Sequence, residues 1–267
     1  MEKKRVLLVT EEMDPYLLDN QIATIARKLA DQITGNGFDI RILMPKFGTI
    51  NERRHRLHEV VRLSGINIII DDDDFPLLIK VASLPGSRMQ VYFLDNEDFY
   101  KRKGVYHDED GKPYDDNAER AVFFCKGVLE TVKKFGWPPD IIHCHGWFAS
   151  LLPMYVKTAY KSDPVFANAK MVYSVYENVY EGNLGDSFAI KSLINKVELA
   201  DLKHYNGHTN SDMHLGAIHY SDGVIIGDDK VAEDVINNIP KKKIVHSYTD
   251  PVDEKSYIEF YKKLLVD

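Results

Sequence analysis

The chain has 267 residues, of which 44% are hydrophobic and 28% charged, and its formal net charge is -7. This composition is ordinary for a soluble globular protein, and the negative balance argues against nucleic acid or an anionic membrane surface as the main partner. No segment reaches the roughly 20 apolar residues of a membrane span, and the first residues do not form an export signal. We therefore place the protein in the cytoplasm, with Cys125 and Cys144 as free thiols.

The beginning of the chain has the pattern of a strand, a loop, a helix and a second strand. Arg5–Thr10 is a short apolar run of the kind that forms a parallel strand covered on both faces. Apolar residues recur at helical spacing over 21–34, and Gly35-Asn36-Gly37 supplies residues that end a helix. Residues 39–45 form the next strand. Ligands of open parallel sheets bind beyond the carboxyl ends of the strands, so the loop 11–20 is where a site is expected.

Strands and helices alternate along the rest of the chain. The later strands are predicted at 59–70, 77–81, 88–94, 140–145, 170–176 and 222–227. The later helices are predicted at 117–135, 147–160, 190–199, 214–220, 230–238 and 252–266. This succession predicts an α/β fold, in which one Rossmann-like, three-layer domain spans residues 1–267 around a mostly parallel sheet.

Two polar segments interrupt this pattern. The four carboxylates of Asp71–Asp74 lack the alternating ligand spacing of a calcium loop, so we interpret them as the tip of a hairpin. Asp95–Asp116 contains Gly104, Gly111 and Pro113 and is predicted to be a long loop over the sheet. Loops of that length tend to be functional.

A histidine motif, His143-Cys144-His145-Gly146-Trp147, stands at the carboxyl end of a predicted strand. Alternation along the strand puts both imidazoles on one face and Cys144 on the other. A zinc site needs further ligands, which nothing nearby in the sequence supplies. Hydrogen bonding and stacking with a ligand, or histidines satisfied inside the core, are the remaining interpretations.

A second group of histidines comprises His204, His208, His214 and His219. His204 and His208 have the spacing of one helix face, but Gly207 weakens a helix there. We interpret the group as part of an irregular polar surface and expect no metal site in the chain.

The loop after the first strand has no glycines that cradle a phosphate. Asn20 and Gln21 stand where Rossmann and P-loop sequences place them. A helix N-terminus attracts anions whatever its sequence, but Asp14 and Asp19 bring negative charge to this one. We therefore expect no bound phosphate and no cofactor here, and Asp19 is a candidate N-cap.

The order of these segments resembles the N-terminal domain of bacterial glycogen synthases and plant starch synthases, from about Val6 to Val235. Glu11 and Pro15 in the opening unit belong to the resemblance. The other matching runs are Asp39–Gly48, Gly111–Asn117, Arg120–Glu130, Pro139–Trp147 and Tyr173–Asn178 with Tyr180 and Gly182. At two of these runs the family has Pro-Asp-(Val/Ile)-(Val/Ile)-His-Ala-His-Asp-Trp-His and Thr-Val-His-Asn followed by Tyr-Gln-Gly.

The resemblance implies the N-terminal half of a GT-B glycosyltransferase fold. It also implies the family reaction, a retaining glucosyl transfer from ADP-glucose to the end of an α-1,4-glucan. That reaction takes place in the cleft between two Rossmann-like domains, and this chain resembles the acceptor-side domain alone. The catalytic glutamate and most nucleotide contacts lie in the family's second domain. We expect the helix 252–266 to end a finished protein.

The family's nucleotide-sugar loop, Lys-Thr-Gly-Gly-Leu-Ala-Asp, is changed in this chain to Leu18–Thr24. Its lysine is Leu18, its two glycines are Asn20 and Gln21, and its aspartate is Thr24. The lysine that would meet phosphate charge and the glycines that allow close backbone approach are therefore absent from these positions.

This chain also departs from the family at two further motifs. The histidine of Thr-Val-His-Asn falls on Tyr176 or Glu177, and Asn178 is nearest to its asparagine. The aspartate of His-Asp-Trp is Gly146. These departures predict a domain that does not transfer glucose by itself, and they leave its catalytic residues unassigned.

Three functions remain for such a domain. The first is an accessory or regulatory domain that binds an α-glucan or oligosaccharide. The second is half of a split enzyme, completed by a separate protein with a nucleotide-sugar-binding domain, and the third is a non-catalytic structural or interaction protein. The sugar-binding candidates are Asp116, Asn117, His145, Trp147, Tyr176, Glu177 and Asn178.

Overall fold

The structure is a computed structural model that describes residues 3–18, 20–179, 181–194 and 196–266. In this part of the chain ten strands form one sheet. They are β1 (Arg5–Thr10), β2 (Asp39–Pro45), β3 (His58–Glu59), β4 (Ile66–Ile70), β5 (Asp73–Ser83), β6 (Gln90–Asp95), β7 (Ile141–His145), β8 (Lys170–Val175), β9 (Gly223–Ile226) and β10 (Ile244–His246). The order is β10-β9-β8-β7-β1-β2-β6-β5-β3, with β4 paired to β5.

Most of this sheet is parallel. The strands from β10 across to β6 run in one direction, whereas β5 is antiparallel to β6, β3 and β4. Two 3-10 helices span Trp147–Ala149 and Leu199–Tyr205. The α-helices are α1 (Gln21–Gly35), α2 (Glu52–His55), α3 (Glu97–Tyr100), α4 (Asn117–Phe135), α5 (Leu151–Lys157), α6 (Phe188–Lys191), α7 (Asn210–Tyr220), α8 (Glu233–Asn237) and α9 (Glu254–Val266).

The first helix forms as its sequence pattern predicts. Ile25, Leu29 and Ile33 recur at helical spacing and are buried between α1 and the sheet. The N-cap is Asn20, whose side chain accepts a hydrogen bond from the amide of Ile22 at 2.7 Å. The residue predicted for that role, Asp19, lies outside the described residues.

Helices cover both faces of the sheet, and β7 shows how its residues divide between them. His143 faces α9, where its Nδ1 lies 2.6 Å from the hydroxyl of Tyr261. Cys144 points to the opposite face. Burial raises the pKa of its thiol, and the neighbouring Cys125 of α4 raises that pKa further. Both cysteines are free and buried, as expected.

Several predicted elements have different bounds in the structure. The single strand expected over 59–70 is two short strands, because the chain turns between β3 and β4 and Gly65 adopts φ +79°. The prediction of a helix over 190–199 is wrong, since α6 ends at Lys191 and a 3-10 helix starts at Leu199. The helix expected over 147–160 is a 3-10 turn followed by α5.

The helix predicted at 214–220 starts earlier, at Asn210. Thr209 accepts a hydrogen bond from the amide of Asp212 at 3.2 Å, and the Asp212 carboxylate in turn accepts from the amide of Thr209 at 3.1 Å. This capping box is readable in the sequence as a Thr followed three residues later by an acid. Among the described residues, no helix is long and apolar enough to cross a membrane.

Candidate functional site

The carboxyl ends of four parallel strands meet at one edge of the sheet. Thr10 of β1 is in register with His145 of β7, and His145 is in register with Ser174 of β8. Ser174 is in turn paired with Ile225 of β9. The loops that leave these strands therefore lie side by side, which is where ligands of open α/β sheets bind.

A cavity of about 250 Å³ opens between the end of β8, the end of β9 and the start of α1. Lys230 lies 3.6 Å from the carboxylate of Glu177 at its rim. Burial raises the pKa of Asp228, and the neighbouring Asp229 and Glu177 raise it further. The polar groups in its wall include Asn20, Gln21, Tyr176, Glu177, Asp228 and Asp229.

The start of α1 is already occupied by a carboxylate of the chain itself. Glu12 is buried, and its two oxygens accept from the amide of Asn20 at 3.1 Å and from the Asn20 side-chain nitrogen at 2.8 Å. Asn20 Oδ1 accepts from the next free amide, that of Ile22. Donors that a phosphate would need at this helix end are thus engaged within the protein.

The residues predicted to correspond to the family's nucleotide-sugar loop bring no cation to this site. Leu18, predicted at the place of the lysine, is 62% exposed. Thr24 is exposed on α1, and Gln21 lines the cavity. Asp19 belongs to the same loop and lies outside the described residues.

Three of the predicted sugar-binding side chains are buried rather than open to the cleft. His145 and Trp147 are almost fully buried, and Tyr176 is 3% exposed. Tyr176 lines the cavity with part of its surface, while its hydroxyl lies 2.7 Å from Nδ1 of His145. A side chain on Gly227 would lie 2.4 Å from the Tyr176 ring, so this glycine makes room for it.

The histidines of β7 form a continuous hydrogen-bonded network. His143 Nε2 lies 2.7 Å from the hydroxyl of Ser174, and His145 Nε2 lies 3.2 Å from His143 Nδ1. Burial lowers the pKa of His145 to about 3 and holds the pKa of His143 well below its usual range. Both imidazoles are therefore neutral at pH 7 and serve the core through their hydrogen bonds.

The long loop before α4 covers the end of β7. Tyr106 packs edge-on against Trp147, with ring centroids 5.2 Å apart. Asn117 donates to the carbonyl of Tyr106 at 2.9 Å, and Asp116 forms an ion pair with Arg102. Asp116 and Asn117 thus hold this loop in place and do not reach the cavity at the start of α1.

The remaining two candidates lie at the open edge. Glu177 is about half exposed and faces the cavity. Asn178 donates to the hydroxyl of Ser211 at 3.1 Å and lines a second cavity of about 630 Å³. Val179 contributes to the walls of both cavities, so the two lie side by side, and we refer to them together as the groove.

Glu11 is buried where β1 ends. Its Oε2 accepts from the amide of Phe148 at 3.1 Å. Burial, followed by the charge of Glu12, raises the pKa of Glu11 to about 8. The Tyr106 hydroxyl is near enough to lower that pKa slightly, although the contact does not meet ordinary hydrogen-bond geometry.

The second group of histidines does not form a common site. His204 and His219 stack with ring centroids 3.6 Å apart, whereas His208 packs against Phe188. His214 is buried, with its Nδ1 2.7 Å from the hydroxyl of Tyr173. Within the described ranges, no three His, Cys, Asp or Glu side chains come together as a metal site.

Sequence reasoning missed three residues that determine the character of the groove. Asp228 and Asp229 follow β9 after a single residue, Gly227, and this position just beyond a buried strand is a signal visible in the sequence. Glu12 was not recognised, because its contact with Asn20 depends on the path of the loop between them.

The chain matches known proteins over most of its length. The Starch synthase catalytic domain family matches residues 5–244. Glycogen synthase from Chlorobium limicola is 39% identical over 216 residues, which cover 80% of this chain and 44% of that protein. Glycogen synthase from Chlorobaculum tepidum is 36% identical over 235 residues, which cover 88% of this chain and 48% of the relative. The chain spans less than half the length of these curated relatives.

The structural match agrees with the sequence matches. The fold is similar to that of the catalytic domain of starch synthase IV from Arabidopsis thaliana bound to ADP and acarbose, with a TM-score of 0.73 at 19% identity. The match covers 96% of this chain and 53% of that chain. The mostly parallel sheet with helices on both faces is accordingly the α/β fold of a GT-B glycosyltransferase domain. With its family match over residues 5–244 and its glycogen synthase relatives, the chain belongs to the starch synthase catalytic domain family.

Proposed function

We propose that this glycogen synthase-like domain binds an α-glucan in the groove at the ends of β8 and β9, and that it does not transfer glucose from ADP-glucose by itself. The observation that carries the proposal is the charge of the groove. Glu177, Asp228 and Asp229 face its cavity together with Lys230, which is paired with Glu177, so carboxylates outnumber cations in its wall. Carboxylates repel a diphosphate, whereas they accept hydrogen bonds from the hydroxyls of a neutral sugar.

The start of α1 supports the second half of the proposal. A nucleotide sugar presents a diphosphate, which binds where helix amides and cations meet it. Here Glu12 takes the donors of Asn20, and Leu18 stands where the family has a lysine. Binding a diphosphate at this place would require breaking those contacts and bringing negative charges together. We infer that ADP-glucose is rejected.

The shape of the groove supports a chain-like sugar. Its two cavities meet at Val179, and the second is lined by the polar groups of Asn178, Thr209 and Ser211. Hydroxyl and amide side chains of this kind orient a sugar by hydrogen bonds. A linear glucan lying along both cavities would meet such groups over several units. We propose that the domain acts in this way in the cytoplasm.

Calorimetric titration tests both halves. We expect maltoheptaose to bind with a millimolar or tighter dissociation constant, and ADP-glucose to give no binding heat. Asp229→Ala removes an exposed carboxylate of the groove and should weaken maltoheptaose binding about tenfold, the usual loss for a hydrogen bond to a charged group.

The matched control is Glu109→Ala. Glu109 is an exposed carboxylate paired with Lys103 in the loop before α4, away from the groove. This variant should bind maltoheptaose like the unchanged chain. The proposal fails if maltoheptaose gives no heat at millimolar concentration, or if ADP-glucose saturates the protein.

A further inference from the structure

Glu11 and Gly146 are neighbours across the β1–β7 pair. Thr10 is in register with His145, so Glu11 and Gly146, the residues that follow them, leave the sheet side by side. A Cβ atom placed on Gly146 would lie 2.3 Å from Glu11 Oε1 and 2.7 Å from Oε2. The carboxyl group of Glu11 therefore fills the space that a side chain at position 146 would take.

The backbone at position 146 has φ 79° and ψ 170°, a region that is essentially reserved for glycine. The space beside this glycine is filled by the carboxyl group of the residue that follows β1. We propose that Glu11 is a positioning residue, whose carboxyl group occupies this space and holds the turn Gly146–Phe148 in place.

The contacts of Glu11 support a positioning role. Its Oε2 accepts from the amide of Phe148, which fixes the turn from one side. On the other side, the hydroxyl of Tyr173 donates to the carbonyl of Gly146 at 3.1 Å. This turn carries Trp147, against which the loop residue Tyr106 packs. Glu11 therefore fixes the position of the surface against which that loop packs.

The surroundings of Glu11 keep its carboxyl group protonated. The residue is 1% exposed, and no Lys or Arg of the described residues forms an ion pair with it. Burial and the charge of Glu12 raise the pKa of Glu11 to about 8, so the acid is mainly neutral at pH 7. A neutral acid still accepts a hydrogen bond from the Phe148 amide.

A double-mutant cycle tests the proposal. Gly146→Asp places a second carboxyl group where Glu11 already lies, so the melting temperature should fall sharply. Adding Glu11→Ala frees the space, and we expect it to raise the melting temperature of Gly146→Asp by about 5 °C or more beyond its effect on the unchanged chain. The backbone strain at position 146 is present in both variants and cancels in this comparison. If Gly146→Asp does not fold, Gly146→Ala gives the same cycle with a smaller side chain.

The matched control uses another glycine at a strand end. Gly227→Ala clashes with Tyr176 and not with Glu11, so Glu11→Ala should change the melting temperature of this variant only as much as it changes that of the unchanged chain. The same additional gain in both glycine variants, or in neither, would overturn the proposal. These measurements report on unfolding alone, so they do not depend on whether the domain binds a glucan.

Infrared spectroscopy separates a neutral positioning acid from mere space filling. We expect the carbonyl band of a protonated carboxyl group at pH 6, its loss as the pH rises through about 8, and its absence in Glu11→Gln. In the double variant Glu11→Ala with Gly146→Asp, the band should reappear from position 146. A Glu11 that shows no such band at pH 6 contradicts the proposed neutral acid.

Discussion

Two buried polar clusters lie close to the end of β7, and they differ in how completely their hydrogen bonds are formed. In the histidine cluster, both ring nitrogens of His143 and of His145 have a partner within 3.2 Å. The acid cluster comprises Glu11, Tyr106 and Arg120. Each of these three keeps one polar atom without a partner among the described residues.

The difference follows from what closes each cluster. The histidine cluster is closed by α9, whose Tyr261 reaches His143 from a regular helix. The acid cluster is closed by the loop before α4. Arg120 of α4 donates to Asn117 and to the carbonyl of Phe99, while its Nη2 has no partner among the described residues. Fully paired buried networks stabilise a fold, whereas incomplete ones cost stability. We therefore assign the histidine cluster to the core and the acid cluster to the contact between the end of β1 and the loop before α4.

Acid should act most strongly on the histidine cluster. Burial lowers the pKa of His143 and of His145 below the value of 6.5 that they have when unfolded. Their contribution to stability is therefore complete above pH 6.5 and is lost as the pH falls below it. Together they should remove up to about 3 kcal/mol per pH unit from the free energy of unfolding. Urea unfolding between pH 7 and pH 5 in the Glu11→Gln variant measures this, and a flat profile would contradict the assignment.

Removing one histidine should have the next largest effect. His143→Leu leaves Ser174 and Tyr261 with buried hydroxyls that have lost their partner. We expect the free energy of unfolding at pH 7 to fall by about 3–4 kcal/mol. Urea unfolding checks this against His58→Ala, an exposed histidine whose loss should cost less than about 0.5 kcal/mol. Equal losses of unfolding free energy in the two variants would contradict the assignment of the histidine cluster to the core.

The acid cluster should respond to pH in the opposite sense. The pKa of Glu11 is raised to about 8, above its ordinary value of 4.5, so its burial costs most at high pH and nothing below pH 4.5. Glu11→Gln should therefore raise the free energy of unfolding by about 3 kcal/mol at pH 7 and leave it unchanged at pH 4. Urea unfolding at both pH values decides this. The same gain at both would show that ionisation of Glu11 plays no part.

A matched pair of hydroxyl deletions should give the smallest and most specific contrast. Tyr261→Phe removes a hydroxyl that lies 2.6 Å from His143 and should cost about 1 kcal/mol. Tyr106→Phe removes a buried hydroxyl without a well-formed hydrogen bond and should be close to neutral. Thermal unfolding of the two variants compares them directly. If Tyr106→Phe costs as much as Tyr261→Phe, the two clusters do not differ as described.

The fold follows from the sequence where local patterns are strong. Burial of Ile25, Leu29 and Ile33 in α1 follows from their spacing alone, and so does the strand–helix alternation. The division of 59–70 into β3 and β4 did not follow from the sequence, because the turn between the two strands competes with a long apolar strand pattern. Element bounds depend on such local turns and are the least predictable part.

The general place of the cavity follows from the fold class, but its lining does not follow from the sequence. The cavity lies at the carboxyl edge of the parallel strands, yet at β8, β9 and the start of α1 rather than at the histidines that end β7. The burial of Trp147 depends on a loop that folds back over it, and residue patterns within a single strand carry no sign of this. The pairing of Glu11 with Gly146 joins residues far apart in sequence, so it emerges only from the register of the sheet.

Glucosyl transfer tests the central claim most directly. The purified chain is incubated with labelled ADP-glucose and glycogen, beside an active glycogen synthase as a positive control. Because Glu12 occupies the start of α1 and Leu18 replaces the lysine, we predict no incorporation of label above the level without protein. Clear incorporation by this chain alone would contradict the account.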